Sequence, residues 1–464
     1  MFRRVLIANR GEIAARVIRA CVAERAESVL TVSEADRDSL PARMADQIVV
    51  IGSSSPATSY LSLPSIIGAA LLTECDGLHP GYGFLSERPE LAEACGAHGI
   101  RFVGPPASAI RRVGDKIAAR DVARGLGLPV IAGSAHVADA AAAGEAARRA
   151  GYPVLLKAAA GGGGRGMVLV RCEAELPQTF ERATAEACAT FGDSRLYIER
   201  YTQQARHVEV QVLADGHGNV VHLGDRDCSY QRRHQKLVEE APAARIPAAL
   251  RRQMQGAAIA LMEAVGYVGA GTVEFLVDEE RGEFSFLEVN ARLQVEHPVT
   301  EMVTGIDIVR EQLRIAAGGV LSMRQREIAL TGHAIEFRIN AEVPLRAFAP
   351  SPGLIDRWDP PAGAGIRIDT HCYAGYRVPP YYDSLLAKLI CHASSRSGAL
   401  SLAARALDSF RVEGIETTLP LHRSLVRHAD VHAGHVSTRW LEQTFLPQWT
   451  LQQGRARRTE GSSL

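Results

Sequence analysis

Between Glu288 and Glu296 every second residue is polar. Glu288, Asn290, Arg292, Gln294 and Glu296 alternate with Val289, Ala291, Leu293 and Val295. In an extended chain alternate residues share a face, so the segment predicts one wall of carboxylates, amides and a guanidinium, and one buried apolar wall. Unpaired polar groups are costly to bury, and the polar wall therefore points to a wet cleft. Upstream, residues 272–277 and 284–289 read as strands around the turn-like Asp-Glu-Glu-Arg-Gly-Glu. A symmetric hairpin centred on Arg281 sets Glu274 opposite Glu288. Cross-strand partners have Cβ atoms about 4.5–5.5 Å apart, and two such carboxylates repel unless a cation or proton lies between them. All-oxygen ligands suit Mg²⁺, which binds one or two carboxylates together with substrate phosphates. The competing reading is a pair of solvated acids on an exposed hairpin.

The chain has 464 residues, room for roughly three domains. Apolar residues make up 47% and charged residues 22%, enough for a sizeable core. A formal net charge of +0 gives no support for nucleic acid or an anionic membrane as partner. The eight cysteines contain no C-x-x-C spacing, which argues against zinc and disulfides and for a reducing cytoplasm. Val5–Ala8 is too short an apolar run for a signal peptide, and no run approaches membrane-spanning length.

Residues 4–8, 28–32, 48–51, 77–78 and 101–103 read as short apolar strands separated by helical patterns, a β-α-β series with a parallel sheet. No G-x-G-x-x-G follows the first strand, so a nicotinamide cofactor gets little support. The loop from His79 to Glu87, with Tyr82 in it, ends a strand where such sheets bind ligands. Residues 153–158 and 167–171 are strands around Gly161–Gly166, a candidate phosphate cradle and mobile lid; Lys157 on the incoming strand favours phosphate. A merely flexible hairpin tip is the alternative. His207 and Glu209 share a face of an alternating strand, and Asp225–Lys236 reads as a basic loop able to hold an anion beside a metal. Arg338 has polar neighbours at even positions and needs a carboxylate or ligand partner. The polar tail after Trp449 reads as disordered.

Together, Ile7–Ala14, His79–Gly83, Gly161–Met167, Gln231–Pro242, Glu288–Pro298, Gly332–Glu342 and Pro379–Asp383 resemble the biotin carboxylases of the ATP-grasp superfamily, over essentially 1–447. The resemblance implies an α/β and α+β chain with an N-terminal Rossmann-like domain (1–114), an ATP-grasp domain (115–330, glycine-rich lid about 130–203), a C-terminal mixed α+β domain (331–447) and a disordered tail (448–464). It implies that Lys116, Lys157 and His207 meet ATP phosphates under Gly162, Gly163 and Gly164. Glu199 and Tyr201 would hold adenine against Met167, with Gln231 and His234 near ribose and phosphate. Glu274 and Glu288, with Asn290 beside them, would hold Mg²⁺ or Mn²⁺. Lys236, Arg292, Gln294 and the Val295 backbone would bind bicarbonate. Glu296, positioned by Arg292, would be the general base. Arg338 and Tyr82 would face biotin.

Biotin would arrive on a separate carrier protein, since no Met-Lys-Met attachment motif is present, and carboxyltransferase subunits would complete an enzyme such as acetyl-CoA carboxylase. A homodimer is expected. Its contacts should differ from those of bacterial relatives, because Ala23 and Ala364 stand where an acidic and an aromatic residue are usual, and Arg200 and Thr202 alter the adenine end. A different acyl-phosphate ligase and an inactive nucleotide-binding subunit are the other readings.

Overall fold

The computed structural model describes residues 1–160, 166–202 and 205–461. Its N-terminal part is a five-stranded parallel sheet ordered Gln47–Gly52, Glu27–Ser33, Arg4–Ile7, Gly77–His79, Arg101–Phe102. The strands are short and apolar because both faces are covered, as parallel sheets require. Ile13, Val17 and Cys21 of the helix Gly11–Ala23 are buried against one face. Strand order reverses at Arg4–Ile7, so the loops after that strand and after Gly77–His79 diverge and leave a crevice. Asn9 Nδ2 pins the second loop by donating to the carbonyls of Pro80 (2.7 Å) and Tyr82 (2.8 Å). Gly81 sits at φ +63°, and a Cβ there would lie 2.8 Å from that same Asn9 nitrogen, so the loop needs glycine. Tyr82 is thereby aimed inward, its hydroxyl donating to Glu12.

A second unit is a four-stranded antiparallel sheet of Gly133–Val137, Leu196–Arg200, Val154–Ala158 and Met167–Val170, backed by the helices Ala140–Ala150 and Leu176–Phe191. The two strands expected around the glycine loop are present and antiparallel, with Lys157 opposite Met167. Gly162, Gly163 and Gly164 lie outside the described residues.

The site is built on an eight-stranded antiparallel sheet. Its order is Glu283–Asn290, Gly269–Asp278, Arg206–Ala214, Val220–Arg232, Gln235–Ala241, His333–Asn340, Leu385–Ala393, Ile366–Thr370. It runs without a break across residue 330, where the resemblance implies a domain boundary. One face is apolar: Val208, Val210, Val212, Val273 and Phe275 meet Met254, Ala258 and Leu261 of the helix Ala248–Ala264. Ile335, Phe337 and Leu389 continue that layer against the helix Arg396–Ser409. The alternate residues on the opposite face are His207, Glu209, Gln211, Glu274, Glu336 and Arg338, and this polar face forms the site floor.

Two expectations about local structure are corrected here. The basic loop 225–236 is a hairpin: strands Val220–Arg232 and Gln235–Ala241 joined at Arg233 and His234, both at positive φ. Its members from Asp225 to Gln231 are buried, their charges matched by Arg206 and Glu209 of the neighbouring strand and by Arg251 of the helix Ala248–Ala264. The tail is not irregular as far as it is described: Leu446–Gly461 is helical. That helix starts on firm ground, with Trp449 buried in the C-terminal core and its indole N–H donating to Ser424 (3.0 Å). Among the described residues no helix is long and apolar enough to cross a membrane.

Candidate active site

Glu274 and Glu288 stand directly opposite each other on the strands Gly269–Asp278 and Glu283–Asn290. The route differs from the symmetric hairpin expected. At the turn Asp278 pairs with Glu283, a register that would slip Glu274 by one residue; a bulge at Leu287 restores the pairing. The alternating run does not continue as a strand either. The strand ends at Asn290, residues 291–296 form an irregular connection, and the helix His297–Thr304 begins with Glu296 at its N-cap. The binary pattern still sorts the side chains: Ala291 and Leu293 are buried in apolar surroundings, whereas Glu288, Asn290, Arg292, Gln294 and Glu296 line one cleft of about 800 Å³. Burial of the apolar residues, not strand geometry, orients the segment.

The cleft floor is a lattice of buried charge. Lys236 Nζ donates to Glu209 (2.6 Å), Glu296 (2.6 Å) and Glu274 (3.2 Å). Arg338 donates to Glu239 (2.6 Å) and Glu296 (2.9 Å). Arg226, fully buried, spans Glu209 (2.6 Å), Gln211 (2.7 Å), Thr272 and Thr300 (3.0 Å each). Burial pushes the Glu296 carboxyl up, but Lys236, Arg338 and Arg226 outweigh it and hold it well below the usual carboxylate range. Glu274 behaves likewise: burial opposes ionisation, and Lys236 and His207 (2.9 Å away) win.

Arg292 does not touch Glu296. It donates to Glu87 (2.9 Å), Asn290 (3.0 Å) and Gln294 (3.1 Å), because the chain turns at Asn290 and carries its guanidinium toward the N-terminal part. Lys236 and Arg338 hold Glu296 instead. Asn290 turns its amide nitrogen to Glu274 (2.8 Å). The Val295 carbonyl accepts from Lys388 (2.9 Å), which also pairs with Glu12 (2.9 Å), so the Tyr82 loop and the Val295 backbone share one buried lysine.

At the other end, Lys116 opens the helix Lys116–Gly125, capped by Asp115, and pairs with Glu288. Lys157 donates to Glu199 (2.7 Å), whose second oxygen accepts from Arg120. Burial alone would raise the Glu199 carboxyl; these two cations keep it ionised and low. Met167, Tyr201, His207, Gln231 and His234 line the same cleft, and the Arg439 guanidinium lies 3.8 Å from the Tyr201 ring centroid. All site residues singled out from the sequence and described here therefore border one cavity. Arg120 and Lys388 lie in no segment marked by the sequence and reach the site through long-range register. Glu12, Glu87, Arg226 and Glu239 lie in marked segments but had no role of their own, and Glu209 was marked only as sharing the His207 face.

Each facing carboxylate at the mouth rests on a lysine of the chain, Lys116 on Glu288 and Lys236 on Glu274. Paired carboxylates of this kind suit a hard divalent cation together with substrate phosphates.

Comparison with known proteins agrees with this geometry. Residues 1–110 match the family model "Biotin carboxylase, N-terminal domain", 115–324 "Carbamoyl-phosphate synthase L chain, ATP binding domain", and 336–443 "Biotin carboxylase C-terminal domain". Biotin carboxylase 1 of Bacillus subtilis is 47% identical over 443 residues, covering 95% of this chain and 98% of its own. The Campylobacter jejuni biotin carboxylase, solved as a β-γ-ATP complex, superposes with a TM-score of 0.93 at 46% identity, over 95% of this chain and 98% of that one. The biotin carboxylase domain dimer of Hydrogenobacter thermophilus 2-oxoglutarate carboxylase, solved with MgADP, ADP and bicarbonate, gives 0.93 at 44%, over 96% and 98%. A mixed α/β chain with an ATP-grasp cleft and this sustained identity belongs to the biotin carboxylase family, ligases that carboxylate biotin at the expense of ATP.

Proposed function

We propose that the chain activates bicarbonate with ATP to carboxyphosphate and passes the carboxyl group to biotin borne on a separate carrier protein. The observation that carries this reading is the junction at Glu296. One carboxylate, fully buried, is shared by Lys236 and Arg338, with Glu274 bonded to the same lysine.

Bicarbonate is a poor nucleophile until it loses its proton. Lys236 and Arg292 present N–H groups to an anion entering beside Glu296, with Gln294 and the Val295 backbone completing its seat. As Lys236 turns toward that anion its hold on Glu296 weakens, and the Glu296 pKa rises toward a value useful to a general base. A placed base of this kind contributes roughly 10²–10⁴-fold. Lys116, Lys157 and His207 neutralise charge on the ATP phosphates. Glu274 and Glu288 would hold Mg²⁺, which neutralises developing charge on the transferring phosphoryl group. Glu199 and the Tyr201 backbone would hold adenine, with Met167 against its ring and Gln231 and His234 toward ribose and phosphate. Lid closure keeps water from carboxyphosphate. When it breaks to CO₂ and phosphate, the phosphate takes the ureido N–H proton. Arg338 faces the enolate oxygen so formed, with Tyr82 across the cleft.

A carrier protein and carboxyltransferase subunits complete the cycle, and a homodimer working in the cytoplasm fits the reading. The final acceptor belongs to the transferase partner. The test is ADP release with Mg²⁺, bicarbonate and free biotin, omitting each in turn. Turnover that needs bicarbonate and rises with biotin is expected; turnover only with an amine acceptor would replace the reading with another acyl-phosphate ligase.

A further inference from the structure

Glu239 and Glu336 lie directly opposite each other on the strands Gln235–Ala241 and His333–Asn340. Both are fully buried. Arg338, two residues along from Glu336 on the same face, bonds one Glu239 oxygen. The other Glu239 oxygen and both Glu336 oxygens are buried without any hydrogen-bond donor. A single proton held between the two facing carboxyl groups would pair two of these three oxygens, one from each residue.

The charged groups around the pair leave no cation over for Glu336. Arg338 is already shared between Glu239 and Glu296. Lys388, across from Arg338 on the strand Leu385–Ala393, serves Glu12 and the Val295 carbonyl. Lys236 serves Glu209, Glu274 and Glu296. His297, from the helix packed over this face, is buried and kept neutral, and its Nδ1 faces the Gln294 carbonyl. With one bonded cation for two facing buried carboxylates, ionisation of both is strongly disfavoured.

We propose that Glu239 and Glu336 share one proton, carried on Glu336 and donated to the free Glu239 oxygen, and that this carboxyl pair is a positioning device for Arg338. With one Glu239 oxygen tied to Glu336, the other is fixed on the guanidinium, which is then aimed at Glu296 and the cleft. A neutral Glu336 also keeps a further negative charge away from the place where bicarbonate, carboxyphosphate and the biotin enolate must sit. Burial drives Glu336 well above the ordinary carboxylate range and Glu239 up to about 7, in the same direction. The positioning half rests on the reading of Arg338 given above; the location of the proton does not.

The experiment uses the full chain. The infrared difference spectrum of wild type minus Glu336→Gln, in H₂O and D₂O at neutral pH, should show a neutral carboxylic-acid carbonyl band that shifts on deuteration. No such band would overturn the shared proton. Kinetically, Glu239→Gln should lower biotin-stimulated kcat roughly 10- to 100-fold, the cost of a misaimed group, and lower biotin-independent ADP release much less. Equal losses in both rates would reduce Glu239 to a structural residue and overturn the positioning role. Arg338→Gln provides the separation: wild-type biotin stimulation in that variant would remove Arg338 from the reaction, and the positioning role with it, while the infrared band would still decide where the proton lies.

Discussion

Two glutamate pairs face each other across neighbouring strands of one sheet, and they hold opposite charge states. At the cleft mouth Glu274 and Glu288 each meet a cation, and Glu274 is held far below its ordinary value. In the sealed interior Arg338 bonds Glu239, no cation among the described residues bonds Glu336, and burial drives both upward. The backbone geometry is the same, a direct antiparallel register. Cross-strand spacing therefore brings carboxylates together but does not set their charge; the number of cations within reach does. One pair is suited to a metal, the other to a proton.

The sharpest test lies at the hub between the pairs. Glu296→Gln keeps the size of the side chain but cannot accept a proton as a base. ADP release should fall about 10²–10⁴-fold while binding of an ATP analogue stays near wild type. Loss of nucleotide binding together with a lowered melting temperature would mean that Glu296 serves only to neutralise Lys236 and Arg338.

The same neutral substitution in the two pairs breaks or keeps the contrast. Glu288→Gln removes a charged oxygen from the mouth pair, and the Mg²⁺ concentration giving half-maximal ADP release should rise about 10- to 100-fold. Glu336→Gln should leave that concentration where it is. An equal shift in both variants would mean that the distinction between a metal pair and a proton pair is wrong.

These contrasts mark what a sequence can carry. The parallel sheet of the N-terminal part was legible because each strand is a short apolar run punctuated by helical periodicity. The opposition of Glu274 and Glu288 was legible too, though through two cancelling departures: a turn off-centre by half a residue and a bulge at Leu287. The polar row from Glu288 to Glu296 named the right side chains for a wall that turns out to be strand end, connection and helix cap. The hairpin of Val220–Arg232 and Gln235–Ala241 looked like a loop because its charges are paired across strands, which no local pattern displays. The roles of Glu239, Arg226 and Lys388 were invisible for the same reason, although the first two lie in segments the sequence marks. Each acquires its role from a partner between 15 and 376 residues away, set by register and topology.

The smallest expected effect is in stability against pH, where the two kinds of buried carboxyl have opposite signs. Burial raises Glu240 and Asp369, but His333 and Arg396 around the first, and Arg367 and Lys388 around the second, bring both down to about 2. Their folded values lie below the ordinary 4.5 and 3.8, so the stability they contribute is full above about pH 4.5 and is lost as pH falls toward 2. Glu239 is the reverse: burial lifts it to about 7, so its contribution is present below 4.5 and is lost as pH rises through 7. Calorimetry across this range should show the melting temperature declining on both sides, by roughly a few degrees on the neutral side. In Glu336→Gln the neutral-side decline should vanish, because Glu239 then has Arg338 without a facing carboxylate and ionises at an ordinary value. The acid-side decline should persist, since Glu240 and Asp369 keep their cations. A neutral-side slope that survives the substitution would place the titrating proton outside the sealed pair, and the two pairs would no longer differ in the way their cations imply.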